Sequence, residues 1–114
     1  MTRGKIVLVP FPFDDLSTAK VRPAVCLTEP TGPQHHVVLA FITSQAPDKL
    51  LDSDVLLSEQ IPDFPATGLR LSSTIRLHRL LTISTSLIQR ELGRLPNSVR
   101  NEVGEKLRTL FGLS

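Results

Sequence analysis

A mainly β fold ending in one helix is what this sequence predicts, and three observations carry the prediction. Short runs rich in Val, Ile and Leu recur between clusters of Pro, Gly, Asp and Ser, the pattern of strands joined by turns. After Pro96 the apolar spacing changes to three and four residues, which is the period of a helix face. The 114 residues show no internal repeat and no low-complexity tract, so a single domain over residues 1–114 with one core is expected.

The first strand is expected over residues 5–13. Pro10 and Pro12 push its end to a sheet edge or a bulge, because proline cannot donate to a ladder. A polar loop, Asp14 to Lys20, leads to a second strand from Pro23 to Thr28. The third, His36 to Thr43, is apolar on both faces and belongs in the middle of the sheet. Between the last two, Glu29-Pro30-Thr31-Gly32-Pro33-Gln34 carries strong turn chemistry, so they form an antiparallel hairpin. Asp54 to Glu59 reads as a short strand and Ile61 to Thr67 as a proline-rich loop. From Leu71 to Ile83, Ser73, Ile75, Leu77, Leu81 and Ile83 alternate with Thr74, Arg76 and His78, one set facing the core and the other solvent or a partner. Gln89 to Leu95 adds a last strand. Val99, Val103, Leu107, Leu110 and Phe111 then line one face of a helix, with Pro96 and Asn97 at its start and Gly112 past its end. Short strands followed by one helix imply a compact antiparallel barrel or curled sheet with the helix packed on it.

Composition narrows the function. Cys26 is the one cysteine and sits in the apolar run Ala24-Val25-Cys26-Leu27, which excludes an internal disulfide and a thiolate metal site and suits a reducing cytoplasm. The run Ile6 to Phe13 is too short for a membrane span and is broken by two prolines, so no membrane association is expected. Nine of the thirteen cations are Arg, whose planar fork of donors suits phosphate. With no Trp and no Tyr, stacking on a base falls to Phe or Arg.

The hairpin yields a geometric inference. Its turn is centred near Gly32 and Pro33, so paired residue numbers sum to 65 and Arg22 faces Thr43. Directly opposed residues share a face with Cβ atoms roughly 5 Å apart, so a guanidinium and a hydroxyl meet at one end of the hairpin. A one-residue slip would bring in Ser44 instead. His35 and His36 flank the turn, without the carboxylate and cysteine neighbours of a metal site.

The segment Gly4 to Leu16, followed by Val21-Arg22-Pro23-Ala24-Val25, resembles the N-terminal signature of the PemK/MazF toxins. The resemblance continues through Ile42-Thr43-Ser44, Ser73-Thr74-Ile75-Arg76, Leu80-Leu81-Thr82-Ile83 and the C-terminal helix, and so covers nearly the whole chain. It implies an SH3-like barrel with an added helix, a homodimer, and a type II toxin that cleaves single-stranded mRNA at specific sequences until a cognate antitoxin protein restrains it. It also implies that Arg22 and Thr43 are the catalytic pair. Some members rely instead on a carboxylate in the segment matching Leu71 to Arg76 and on a histidine in the first loop. Here Ser72 and Ser73 stand in the first region, and residues 14–20 contain no histidine.

Attack by a ribose 2′-hydroxyl needs stabilisation of a phosphorane, a proton acceptor and a donor to the leaving oxygen. Arg22 fits the first role, Thr43 can donate to the same phosphate, and Ser44, Ser73 and His78 are auxiliary candidates. His78 owes its place to an ordinary pKa near neutrality, about 6.5, and to a strand position shared with Arg76 and Thr74. Lys20, Arg70 and Arg76 are candidate RNA-backbone ligands, with Phe11 or Phe13 offering a face to a base. No cofactor and no metal is expected. Apolar loop residues Phe11, Phe13 and Phe64 need cover, which the homodimer would supply. The alternatives are a non-catalytic inhibitor of DNA gyrase resembling CcdB, which shares the barrel, and an inactive RNA-binding module.

Overall fold

The computed structural model describes residues 1–11 and 20–113, except for the side chains of Phe11 and Lys20. The expected loop, apart from Lys20, and the end of the first strand at Pro12 and Phe13 lie outside these residues. Among them the chain forms β1 (Lys5–Phe11), β2 (Lys20–Cys26), β3 (His36–Thr43), β4 (Asp54–Leu57), β5 (Ser73–Ser84), β6 (Arg90–Arg94) and α1 (Asn97–Leu110). The strands make one curled antiparallel sheet in the order β4-β5-β3-β2-β1-β6, a half-barrel with the helix against it.

The third strand is interior, as its two apolar faces require, with β5 on one side and β2 on the other. Ala40 and Ile42 enter a cluster with Ile6, Val25, Val55, Ile75 and Leu77, which Val99 and Val103 of α1 cover. Val37, Leu39 and Phe41 point the opposite way, into a cluster with Val7, Val9, Ala24, Cys26 and Ile83. Leu77 is wholly buried, so its truncation to Ala costs about 2–5 kcal/mol.

The hairpin register is the one expected: Ala24 pairs with Phe41, Val25 with Ala40 and Cys26 with Leu39. The second strand begins at Lys20 rather than at Pro23, because β1 extends the pairing from Leu8–Pro23 to Phe11–Lys20. Pro23 is tolerated there because the β2–β3 ladder begins only at Ala24, so no bond to β3 is asked of its missing N–H. At the other proline, Pro10, β1 pairs with β2 alone, since the β6 ladder stops at Leu8.

Strict alternation in β5 fails. Thr74–Arg76 pair with Phe41–Thr43, and Leu80–Ser84 pair with His36–Ala40, so Leu77, His78 and Arg79 form an insertion between two ladders. Such a bulge bends the strand and re-aims its side chains. Leu77 drops into the core beside α1, while His78 and Arg79 are exposed.

The expected proline-rich loop contains a 3₁₀ turn, Phe64–Thr67, whose Phe64 is buried in the core. For Phe64, the cover assigned to a second subunit is therefore supplied within the chain; the side chains of Phe11 and Phe13 lie outside the described residues. This turn packs on β6, and glycines allow the approach: a Cβ on Gly93 would strike the Ala66 carbonyl, and one on Gly68, which has φ +72°, the Leu92 carbonyl. On α1 only the first part of the apolar stripe is covered. Val99 and Val103 are buried and Leu107 is half-buried, whereas Leu110 and Phe111 remain exposed. The helix ends at Gly112, φ +68°, with the Leu113 N–H donating to the Arg108 carbonyl at 2.7 Å.

Candidate functional site

The β2–β3 ladder ends just before Pro23, and the sheet opens there into a cleft of about 650 Å³. Its wall includes Arg22 and Pro23 of β2, Phe41, Ile42 and Thr43 of β3, residues 44–48 that follow, Leu69, Arg70 and Leu71, and Ser73, Arg76 and Arg79 of β5. Strand parity explains the convergence. Arg22 shares a face with Ala24, Thr43 shares one with Phe41, and Phe41 and Thr43 stand opposite Arg76 and Thr74. This is the sheet face turned away from α1.

Four arginines and the lone carboxylate of Asp48 line the cleft among the described residues, so its chemistry is that of an anion site. Arg22 and Arg70 are exposed. Arg76 is held: its Nε donates to Asp54 Oδ1 at 2.9 Å, behind the wall. Arg79 arrives from the bulge and lies over the Phe41 ring, 4.9 Å from its centroid. The Thr43 hydroxyl accepts the Gln45 N–H at 3.1 Å, which leaves its own proton to donate. Ser73 spends its hydroxyl proton on the Leu71 carbonyl at 2.8 Å.

A model of the PemK-like, MazF-like toxins of type II toxin–antitoxin systems matches residues 2–111. The chain belongs to this family. Among curated protein sequences none matches significantly. Among solved structures, the PemK/MazF chain resembles an endoribonuclease in complex with its cognate antitoxin from a mycobacterial species, at 16% identity, covering 100% of this chain and 97% of that one, with TM-score 0.74. It also resembles the Mycobacterium tuberculosis toxin MazF-mt6, at 22% identity over 96% and 98% of the two chains, TM-score 0.73. A MazE–MazF complex from Deinococcus radiodurans is 21% identical over 100% and 97%, TM-score 0.69. At these identities the likeness shows the fold.

For this PemK/MazF chain the cleft gathers Arg22, Thr43, Ser44, Ser73, Arg70 and Arg76 out of the sequence-derived candidates. It does not gather His78. The bulge breaks the alternation that would set His78 beside Arg76 and Thr74, and leaves it exposed outside the lining. The side chain of Lys20, with those of Phe11 and Phe13, lies outside the described residues. Sequence reasoning missed Arg79 and the Phe41 face. The available signal was Leu80-Leu81, two adjacent apolar residues that strict alternation does not allow. Among the described residues no group of three or more His, Cys, Asp or Glu has the arrangement of a metal site. No helix among them is long and apolar enough to cross a membrane.

Proposed function

We propose that this toxin-family chain is a metal-independent endoribonuclease that cuts single-stranded mRNA at specific sequences, with Arg22 and Thr43 at its centre. The observation that carries the reading is that Arg22 and Thr43 line one cleft with three further arginines. Such a wall attracts a polyanion and opposes capture of a divalent cation. Arg22 neutralises the attacked phosphate and Thr43 donates to one of its oxygens. The adjacent 2′-hydroxyl gives up its proton and bonds to phosphorus, the bond from phosphorus to the 5′-oxygen breaks, and that oxygen takes a proton from water. The products carry a 2′,3′-cyclic phosphate and a 5′-hydroxyl. Asp48, the carboxylate among the described lining residues, is the proton acceptor in this scheme. Arg70 and Arg76 hold flanking phosphates, and Arg79 with Phe41 offers a stacking face to a base.

The same cationic wall suits an acidic, partly disordered antitoxin segment that would cover Arg22, Arg70 and Arg76. A cytoplasmic location fits the buried, unpaired thiol of Cys26. A homodimer fits the exposed apolar end of α1, where Phe111 and Leu113 are 58% and 62% exposed. The test is incubation of purified protein with a long RNA in excess chelator, followed by mapping of the cut ends. Discrete cuts bearing cyclic phosphate support the proposal; intact RNA with folded protein rejects it in favour of a non-catalytic inhibitor.

A further inference from the structure

Asp54 is the first residue of β4, and its side chain is 1% exposed. Both carboxylate oxygens are used: Oδ1 accepts the Arg76 Nε–H at 2.9 Å and Oδ2 accepts the Leu51 N–H at 2.8 Å. Its backbone carbonyl accepts Lys106 Nζ of α1 at 2.6 Å, and Lys106 pairs in turn with Glu102 at 3.1 Å. The carboxylate is thus held by Arg76 of the neighbouring strand β5 and by the preceding loop, while the helix holds the backbone of the same residue. Arg76 lines the cationic cleft, whereas Asp54 does not; Asp54 borders the groove on the helix side.

A buried carboxylate so placed contributes no lining oxygen to the cleft that would repel a phosphate. It binds the guanidinium through Nε, so the planar group is held at its root and the two Nη amino groups remain for the cleft. An arginine fixed in this way loses less rotamer freedom when it binds a phosphate. The opposed register Asp54–Arg76–Phe41 across three strands leaves that guanidinium little room to swing.

Resting on the ribonuclease reading, we propose that Asp54 is a positioning residue that holds Arg76 in the geometry that binds the RNA backbone. The test measures Kd for an uncleavable 2′-O-methyl oligoribonucleotide, together with steady-state cleavage of the matching RNA, at one fixed salt concentration. Four proteins are compared: wild type, Asp54→Asn, Arg76→Met and the double variant. Asp54→Asn weakens binding and raises KM by about tenfold, with kcat within about twofold, and adds nothing further in the Arg76→Met background. A purely structural Asp54 would weaken binding by the same factor in both backgrounds, and that result overturns the proposal. So does wild-type affinity in folded Asp54→Asn. Arg76→Lys keeps the charge but has no Nε to be held; if it binds as wild type, the proposal also falls, whatever the stability of the Asp54 variants. Wild-type protein that binds the oligonucleotide without cutting RNA removes the nuclease reading and leaves the positioning role to be judged on Kd. Wild-type protein that does not bind removes both.

Discussion

The guanidinium carbon of Arg79 stands 4.9 Å from the centroid of the Phe41 ring, a pairing between an insertion in one strand and the regular ladder of the next. On the ribonuclease reading, this cation seated over the ring offers a nucleobase a stacking surface at the cleft. Arg79→Ala therefore raises KM for RNA by about tenfold, which is the lower end of what one base stack contributes. Arg79→Lys keeps the charge without the plane and recovers only part of that loss. Steady-state kinetics on one defined RNA checks both; an Arg79→Ala enzyme with unchanged KM removes the stacking role.

Arg22→Ala is expected to lower kcat/KM by about 10²–10³, the range for removing one donor to a developing phosphorane. Thr43→Ala is expected to lower it by about tenfold, because a neutral donor is worth less than a charged one. Arg22 is exposed and belongs to neither core cluster, so the circular dichroism and melting temperature of Arg22→Ala stay close to wild type. A folded Arg22→Ala protein that still cuts RNA rejects the assignment.

The nucleophile is tested by the substrate. One 2′-deoxynucleotide on the 5′ side of the cleaved phosphate removes the attacking oxygen while leaving the phosphates in place. Gel-shift and cleavage assays run together should find this RNA bound and uncut, and a chelator should leave the rate on the all-ribose RNA unchanged. Normal cutting of the deoxy substrate, or loss of activity in chelator, refutes the chemistry.

Burial pushes the Cys26 thiol up to about 11 from 9.0. The folded chain then keeps a proton that the unfolded chain gives up above pH 9. The stabilisation this provides is complete below pH 9 and is lost as pH rises through about 11. Chemical denaturation between pH 8 and 11 should show stability falling with pH, and a shallower fall in Cys26→Ala. Thiol reagents should label Cys26 in denaturant and spare it in the native protein. Equal slopes in the two proteins would show that another group controls the alkaline limb.

Much of this architecture is legible in the residue order. The turn run Glu29 to Gln34 fixes the hairpin, and its centre at Gly32 and Pro33 gives the observed pairing of Ala24 with Phe41. The apolar faces of His36 to Thr43 place that strand in the interior for the same reason, since each face meets its own cluster. Arg22 and Thr43 follow from that register, although the ladder stops short of pairing them. The placement of His78 failed because Leu77 keeps the parity of Ile75, and nothing local marks the insertion until the ladder resumes at Leu80. Phe64 looked like an uncovered loop residue because its burial depends on contacts far along the chain, with β6 and the helix. The Asp54–Arg76 pair joins residues 22 positions apart; each alone reads as an ordinary surface charge.

The insertion in β5 has an evolutionary meaning as well as a geometric one. Both ladders keep their register on either side of it, and of its three residues only Leu77 is tied to the core. Position 78 can therefore be exchanged at little cost in folding, and position 79 at the cost of its contact with the Phe41 ring. One of them stands at the cleft wall beside Arg22 and Thr43. On the ribonuclease reading, a change at position 79 alters which RNA is preferred while the scaffold and Arg22 stay as they are.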